Sequence, residues 1–257
     1  YAAHGAQLRE AVLRVLDSGA YVLGGEGRKF EEEFSSTFSV GHTIGLSSGT
    51  DALMLGLKAL GIGPGDEVII PSFTFIATAT AVTAVGASPV FADIDPATFT
   101  LDARSARAAV TAKTRALIPV HLYGHPANMT ALLALAKEKN LKIIEDCAQA
   151  HLTVYQGKPV GTFGDSAAFS FYPSKNLGAA GDAGAITTQD PELAERCRQL
   201  RNAGRASSGT AYHHLIPGYN CRLDEIQAAI LRVKLKHLPA WTQSRLEVAA
   251  LYNQELA

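Results

Sequence analysis

Residues 67–92 read EVIIPSFTFIATATAVTAVGASPVFA, and the alternation inside that stretch decides the fold class. Glu67-Val68-Ile69-Ile70 is a short β-branched run closed by Pro71, which predicts a strand. Ile76 to Val85 runs on at helical length until Gly86 supplies a stop. Pro89 to Ala92 is a third short apolar run, too brief for a helix. Both flanking runs are apolar on either face, as buried parallel strands are. Strand, helix and strand at such short intervals predict an α/β sheet with helices on both sides.

The same alternation extends outward. Upstream, Thr43-Ile44-Gly45-Leu46 is a weak strand, and Ser48 opens a helix that runs through Asp51 to Leu60. Ser48 and Asp51 have capping-box spacing and Gly61 is the terminator. Downstream come a strand over Arg115 to Val120, a helix over Met129 to Lys139 and a strand at Lys142-Ile143-Ile144-Glu145. After residue 150 the pattern changes. Ser166 to Phe171 is strand-like, a Gly-rich loop covers Ser174 to Gly184, and Ala185 to Thr188 is strand-like again. Asp190-Pro191-Glu192 starts a helix that ends at Gly204, and the polar stretch Arg205 to Thr210 reads as a mobile loop. Two more helices, Leu223 to Leu235 and Ala240 to the end, are separated by Pro239.

The 257 residues suit one or two domains at roughly 150 residues each. Lys+Arg 23 against Asp+Glu 24 leaves a net charge of −1, which excludes a broad basic surface for nucleic acid and an acidic solvating tail. With 47% apolar and 18% charged residues the chain has ample material for a core. Cys147, Cys197 and Cys221 are few and scattered, which fits a reducing cytoplasm and no disulfide framework. No apolar run approaches the roughly 18 residues of a membrane span. The chain starts at Tyr1 and runs into helical pattern at both ends, so it reads as a piece of something longer.

In open α/β sheets ligands bind beyond the carboxyl ends of the strands. Three features fall there. Ser47-Ser48-Gly49-Thr50 follows the first strand and begins a helix, Asp146 follows Lys142 to Glu145, and Ser170 and Lys175 follow the strand Ser166 to Phe171. Each has a plainer reading: a capped helix, a loop acid, a solvated lysine. Together they offer a helix N-terminus for a phosphate, a carboxylate for a cationic ring nitrogen and an amine for an aldehyde, the three requirements of pyridoxal phosphate.

Five strings then carry a family resemblance: SSGTDAL (47–53), PSFTFIATA (71–79), EDCAQAH (145–151), FSFYPSKNLGAAGDAGA (169–185) and GYNCRLDEIQAA (218–229). In this order they resemble the DegT/DnrJ/EryC1/StrS aminotransferases, pyridoxal-phosphate enzymes that aminate keto-sugars linked to nucleotides. The resemblance implies an aspartate-aminotransferase-like large domain of pyridoxal-phosphate fold type I, with a mainly parallel sheet, and a homodimer with shared active sites. It places that domain over residues 1–240, and 241–257 at the start of a helix leading to a small C-terminal domain absent here. It implies Lys175 as the Schiff-base lysine and proton carrier, Asp146 on the ring nitrogen, Gln149 on the ring hydroxyl and Phe75 stacked on the ring. Gly49, Thr50 and Ser170 are implied as phosphate ligands, with Asn220 reaching the partner subunit's phosphate. Glutamate is the implied amino donor. The strings FYPSKNLGAAGDAG and HLYG (121–124) are most similar to members acting on dTDP-linked 3-keto-6-deoxyhexoses. Similar sugar dehydratases carry histidine at the position of Lys175, so amination is favoured over dehydration. A cofactor-binding regulatory protein is the remaining alternative. Many relatives have Gly at Leu152, His at Ala203 and Gly at Ala183, changes expected to touch packing and sugar contacts and not the cofactor core.

Other patterns are weaker. His121 and His125 have helical metal-site spacing, but Gly124 and Pro126 forbid that helix and no HExxH glutamate is present, so no metal is expected. His213-His214 reads as loop, near the sugar at most. Arg196, Arg198, Arg201 and Arg205 share their stretch with Glu192 and Glu195, which predicts a solvated helix face. No loop matches the dinucleotide fingerprint. The amphipathic run Leu223 to Leu235 is a candidate dimerisation helix.

Overall fold

The computed structural model describes residues 4–206 and 212–256. The loop expected to be mobile, Arg205 to Thr210, falls largely outside the described residues. Two helices come first, α1 (Gly5–Ser18) and α2 (Gly25–Phe38). Strand β1 (His42–Leu46) leads into α3 (Gly49–Ala59), then β2 (Glu67–Pro71), α4 (Ala77–Ala84) and β3 (Ser88–Ala92). The chain continues through α5 (Ala103–Ala108), β4 (Thr114–Leu117), α6 (Met129–Lys139) and β5 (Lys142–Asp146). A small hairpin, β6 (Val154–Tyr155) and β7 (Lys158–Pro159), precedes β8 (Ser166–Ser170) and β9 (Gly184–Thr188). Helices α7 (Pro191–Arg201), α8 (Glu225–Leu235) and α9 (Leu238–Glu255) complete the order.

Among the described residues seven strands form one sheet in the order β1-β9-β8-β5-β4-β2-β3. The pairs β3–β2, β2–β4, β4–β5 and β5–β8 are parallel, while β9 runs antiparallel to both β8 and β1. The α/β fold with a mainly parallel sheet is the one read from the sequence. Because β8 and β9 are antiparallel neighbours, a loop can join them where a parallel pair needs a crossover. Residues 171–183 are that loop, and Lys175 sits on it.

Apolar side chains cover both sheet faces. One core joins Ile44, Leu46, Val68, Ile70 and Ile144 to α3 and α4 through Leu53, Leu57 and Val82. The other is built on Phe30, Phe34 and Phe38, which recur every four residues along one stripe of α2. All three are at most 1% exposed and pack edge-on or tilted against Phe169 and Phe171 from the far end of the sequence.

Three expectations change. β3 is not buried on both faces: it is the outer strand, and Phe91 is 59% exposed. α8 packs on α1 and α2 within the chain, burying Ala228, Ala229, Leu231 and Leu235, so that face is not left for a partner. Pro239 does not separate two helices but lies in the first turn of α9, where its missing N–H costs nothing.

α2 starts without a side-chain cap of its own. Glu225, the first residue of α8 and 1% exposed, fills that role by accepting from the N–H groups of Gly24 (2.8 Å), Glu26 (2.7 Å) and Gly27 (3.1 Å). A Cβ at Gly24 or Gly27 would stand 2.7 Å from a Glu225 carboxylate oxygen, so both must be glycine for the carboxylate to enter.

Candidate active site

The carboxyl ends of β5 and β8 and the start of α3 converge on one cavity of about 370 Å3. Gly49, Thr50, Phe75, Asp146, Gln149, Ser170 and Lys175 all line it. Asn220 does not: it is exposed, and its backbone bridges Asn202.

The phosphate-like corner is set by local capping. Ser48 takes the N-cap with extended backbone and its Oγ accepts from Asp51 N–H at 3.0 Å. Ser47 and Ser48 hydroxyls both donate to Asp51 Oδ2, at 2.6 and 2.8 Å. The first-turn N–H groups of Gly49 and Thr50 have no intrahelical carbonyl to reach, which leaves them for an anion. Close approach fixes the corner. A Cβ on Gly49 would lie 2.7 Å from Ser170 Cβ, and one on Gly184 would lie 2.3 Å from the Ser48 carbonyl carbon. Glycine at both positions is what lets the helix start sit against the ends of β8 and β9.

Asp146, 6% exposed, is held by two donors. Thr78 Oγ1 donates to Oδ2 at 3.0 Å and Ala148 N–H to Oδ1 at 3.1 Å. Thr78 is itself paired to Thr74 at 2.9 Å, so a short hydroxyl chain runs from the turn before α4 through its first turn to the carboxylate. Burial raises the Asp146 pKa, against the lowering by Ala148, Thr78 and the positive charge of Lys175. A carboxylate in that position is short of positive charge, the condition a protonated ring nitrogen would relieve. Gln149 Oε1 accepts from Tyr123 N–H at 2.8 Å, which orients the amide so that its NH2 is the end left to donate. Phe75 is 69% exposed on the cavity rim. Lys175 is anchored through its own N–H to Tyr172 O at 2.8 Å, and it also borders a wider groove of about 820 Å3 that Arg245 of α9 reaches.

The set of donors therefore fits pyridoxal phosphate on this structure's own terms: a free helix start clamped by glycines, an under-compensated buried carboxylate and an amine on the facing loop. Thr78, which orients Asp146, was not singled out from sequence. It is one small residue among many in ATATAVTA, and only the fold brings it to residue 146. Ala183 departs from the expectation made for it, because it is 1% exposed and lines the cofactor-sized cavity itself.

The neighbouring acid is a different device. Glu145 is fully buried and accepts four hydrogen bonds, from His121 Nε2 (3.0 Å) and from the N–H groups of Gly161 (2.9 Å), Phe163 (2.8 Å) and Gly164 (2.9 Å). His121 Nδ1 accepts from Ala127 N–H at 3.0 Å, so its proton is on Nε2. His121, Glu145 and Cys147 lie close enough to suggest a metal, but the histidine has no free lone pair and Glu145 is saturated. They form a structural knot at the end of β5. His151 is also sealed, against Phe38, Phe169 and Phe171, and burial followed by the charge of Lys175 pushes its pKa down to about 3.

The model of the DegT/DnrJ/EryC1/StrS aminotransferase family matches residues 3–257. The chain belongs to that family. Within the DegT/DnrJ/EryC1/StrS enzymes it is 51% identical over 258 residues to a UDP-N-acetyl-3-dehydro-alpha-D-glucosamine 3-aminotransferase of Acidithiobacillus ferrooxidans, covering 99% of this chain and 69% of the relative. It is 53% identical over 252 residues to a dTDP-3-amino-3,4,6-trideoxy-alpha-D-glucose transaminase of Streptomyces venezuelae, covering 98% and 66%. The crystal structure of S. venezuelae DesV in complex with a ketimine intermediate superposes with a TM-score of 0.96 at 52% identity, over 100% of this chain and 68% of that one. The chain thus spans about two thirds of the length of these relatives. It is a pyridoxal-phosphate-dependent aminotransferase of the class that acts on nucleotide-linked sugars.

Proposed function

We propose that this chain moves an amino group from glutamate to the 3-keto carbon of a nucleotide-linked sugar, with Lys175 carrying the proton in both half-reactions. The observation that carries this reading is the convergence of Lys175, Asp146 and the glycine-clamped start of α3 on one cavity. Gly49, Thr50 and Ser170 hold the cofactor phosphate, Gln149 donates to the ring hydroxyl and Phe75 covers one ring face. Asp146 keeps the ring nitrogen protonated. The bound cofactor supplies an aldehyde that takes up the amino group and a cationic ring that stores the electron pair released at carbon. Lys175 Nζ takes the proton from the donor's α-carbon and delivers it at the cofactor's C4′, then runs the opposite transfer on the sugar.

The 3-position is supported by the two relatives above, whose named reactions both concern it while their nucleotides differ. The string FYPSKNLGAAGDAG favours the dTDP-linked 6-deoxyhexose. Asn220, exposed and outside its own chain's cavity, is read as a ligand to the partner subunit's phosphate in a homodimer. Helix α9 leaves Leu246, Val248, Leu251 and Tyr252 more than half exposed, which supports its reading as the start of the link to a small domain. No helix of the described residues is long and apolar enough to cross a membrane.

Visible absorbance of the cofactor-loaded protein tests the core of this reading. Glutamate should bleach a yellow band in the wild type, and Lys175→Ala should lack that band's normal form and its glutamate response. A protein that cannot be reconstituted with pyridoxal phosphate would sink the catalytic reading in favour of a regulatory one. A subsequent panel of UDP- and dTDP-linked 3-keto sugars assigns the acceptor.

A further inference from the structure

A second, separate cavity of about 270 Å3 lies between the start of α2 and the end of α7, and it shares no lining residue with the cofactor cavity. Four arginines reach it: Arg28 from α2, Arg198 and Arg201 from α7, and Arg205 from the turn beyond. This is not the solvated helix face the sequence predicted. Arg201 is 11% exposed at its side chain and paired to Glu31.

The cavity's two carboxylates are already committed. Glu225 is taken by the three N–H groups that start α2. Glu31 Oε1 accepts from Arg201 and from Gly45 N–H at 2.8 Å. Among the described residues, Arg28 and Arg205 have no carboxylate partner and Arg198 has only a long one. Arg28 donates to the Leu23 carbonyl at 3.4 Å. Arg198 has its nearest carboxylate, Glu195, at 3.9 Å. Arg205 lies 5.9 Å over the Tyr212 ring, and its Nε is closed off from solvent with no hydrogen-bond partner. The carboxyl-terminal dipole of α7 accounts for cations at Arg198 and Arg201. It does not account for Arg28, which comes from another helix, or for Arg205 beyond the end.

We propose that Arg28, Arg198 and Arg205 form a binding site for a phosphate or diphosphate group. Converging guanidinium forks repel one another in the absence of an anion and match its oxygens when it is present. The ligand is either a free inorganic anion or the diphosphate of a nucleotide. Only the second source rests on the transamination reading above.

Calorimetry on the pyridoxal-phosphate-loaded protein at low salt tests this, since the cofactor's own phosphate seat is then filled. Inorganic pyrophosphate should bind saturably at one site per chain. The Arg198→Gln/Arg205→Gln double variant should weaken binding at least ten-fold, and the exposed Arg28→Gln, which cannot compromise folding, by several-fold. Arg104→Gln, remote and exposed, should change nothing. The cofactor's visible spectrum should be identical in all of them. UDP or dTDP binding ten-fold tighter than pyrophosphate, with the same arginine dependence, identifies the nucleotide as the source, and equal binding identifies the free anion. Absence of saturable binding, indifference to Arg28→Gln together with the double variant, or displacement of the cofactor by pyrophosphate overturns the proposal.

Discussion

Asp146 and Ala203 show two ways in which a single residue is set by its surroundings. Asp146 is buried with two neutral donors and a pKa raised chiefly by burial, so its charge depends on a cation facing it. Asp146→Asn keeps the size and one acceptor but removes that charge. The expected loss is roughly 10²–10³-fold in the glutamate half-reaction, the range found when one electrostatic element is removed from an active site, with Tm nearly unchanged. Stopped-flow absorbance checks the rate. Ala203 has φ 58, in the left-handed region that Cβ disfavours, and its side chain is exposed. Ala203→Gly should therefore stabilise the fold by about 1 kcal/mol, read by urea denaturation. Leu152, with φ 63, stands in the same left-handed region. Leucine offsets part of the strain by packing against the Phe30–Phe34–Phe38 core.

At the scale of elements, α2 is held from outside itself. Its inner stripe of Phe30, Phe34 and Phe38 packs on Phe169 and Phe171, its start is capped by Glu225, and Arg232 of α8 pairs with Glu26 and Glu33. Glu225→Gln puts an amide NH2 among three N–H donors and should cost about 2 kcal/mol. Hydrogen exchange should then show protection lost first in the opening turn of α2 while the strands are unaffected. An unchanged α2 would mean that the aromatic stripe alone fixes it. Helices and strands such as α3, β2, α4 and β5 were legible because their signals are local: a Ser48 cap, Pro71, Gly86, a β-branched run. The antiparallel set of β9 was not, because nothing in Ala185 to Thr188 states which way the chain returns after the loop. The exposure of β3 was likewise invisible, since Pro89-Val90-Phe91 looks the same at an edge as at a centre. Seven of the eight candidate site residues, all but Asn220, were picked out by chemistry carried in fixed strings and do line one cavity. Thr78, Gly184 and the arginine cavity were not, as each depends on which distant segments meet.

At the scale of the molecule, the Glu145 knot ties β5 to the 161–164 turn and to His121. Burial raises the Glu145 pKa, but the hydrogen bonds from His121 and from the Gly161 and Gly164 N–H groups outweigh it, and the net direction is down. A carboxyl depressed in the folded state stabilises above the pKa of the unfolded chain, and that contribution is lost as pH falls through the folded value. Stability by urea denaturation should decline below the ordinary glutamate range, and Glu145→Gln should be less stable at pH 7 but show a shallower acid decline. An acid limb of equal steepness in the variant would assign the decline to other carboxylates.

The outermost strand carries a last consequence. Within the sheet β1 pairs with β9, His42 opposite Thr188 and Leu46 opposite Gly184, and its end also bridges Arg222. On a ribosome adding about 5–20 residues per second, β1 is out on the order of ten seconds before its neighbour has been made. Gly49 meets Ser170 across the same interval. The nascent chain therefore holds its first strand without a ladder until Thr188 has been made, and the corner where Gly49 meets Ser170 cannot settle before β8 and β9 are in place.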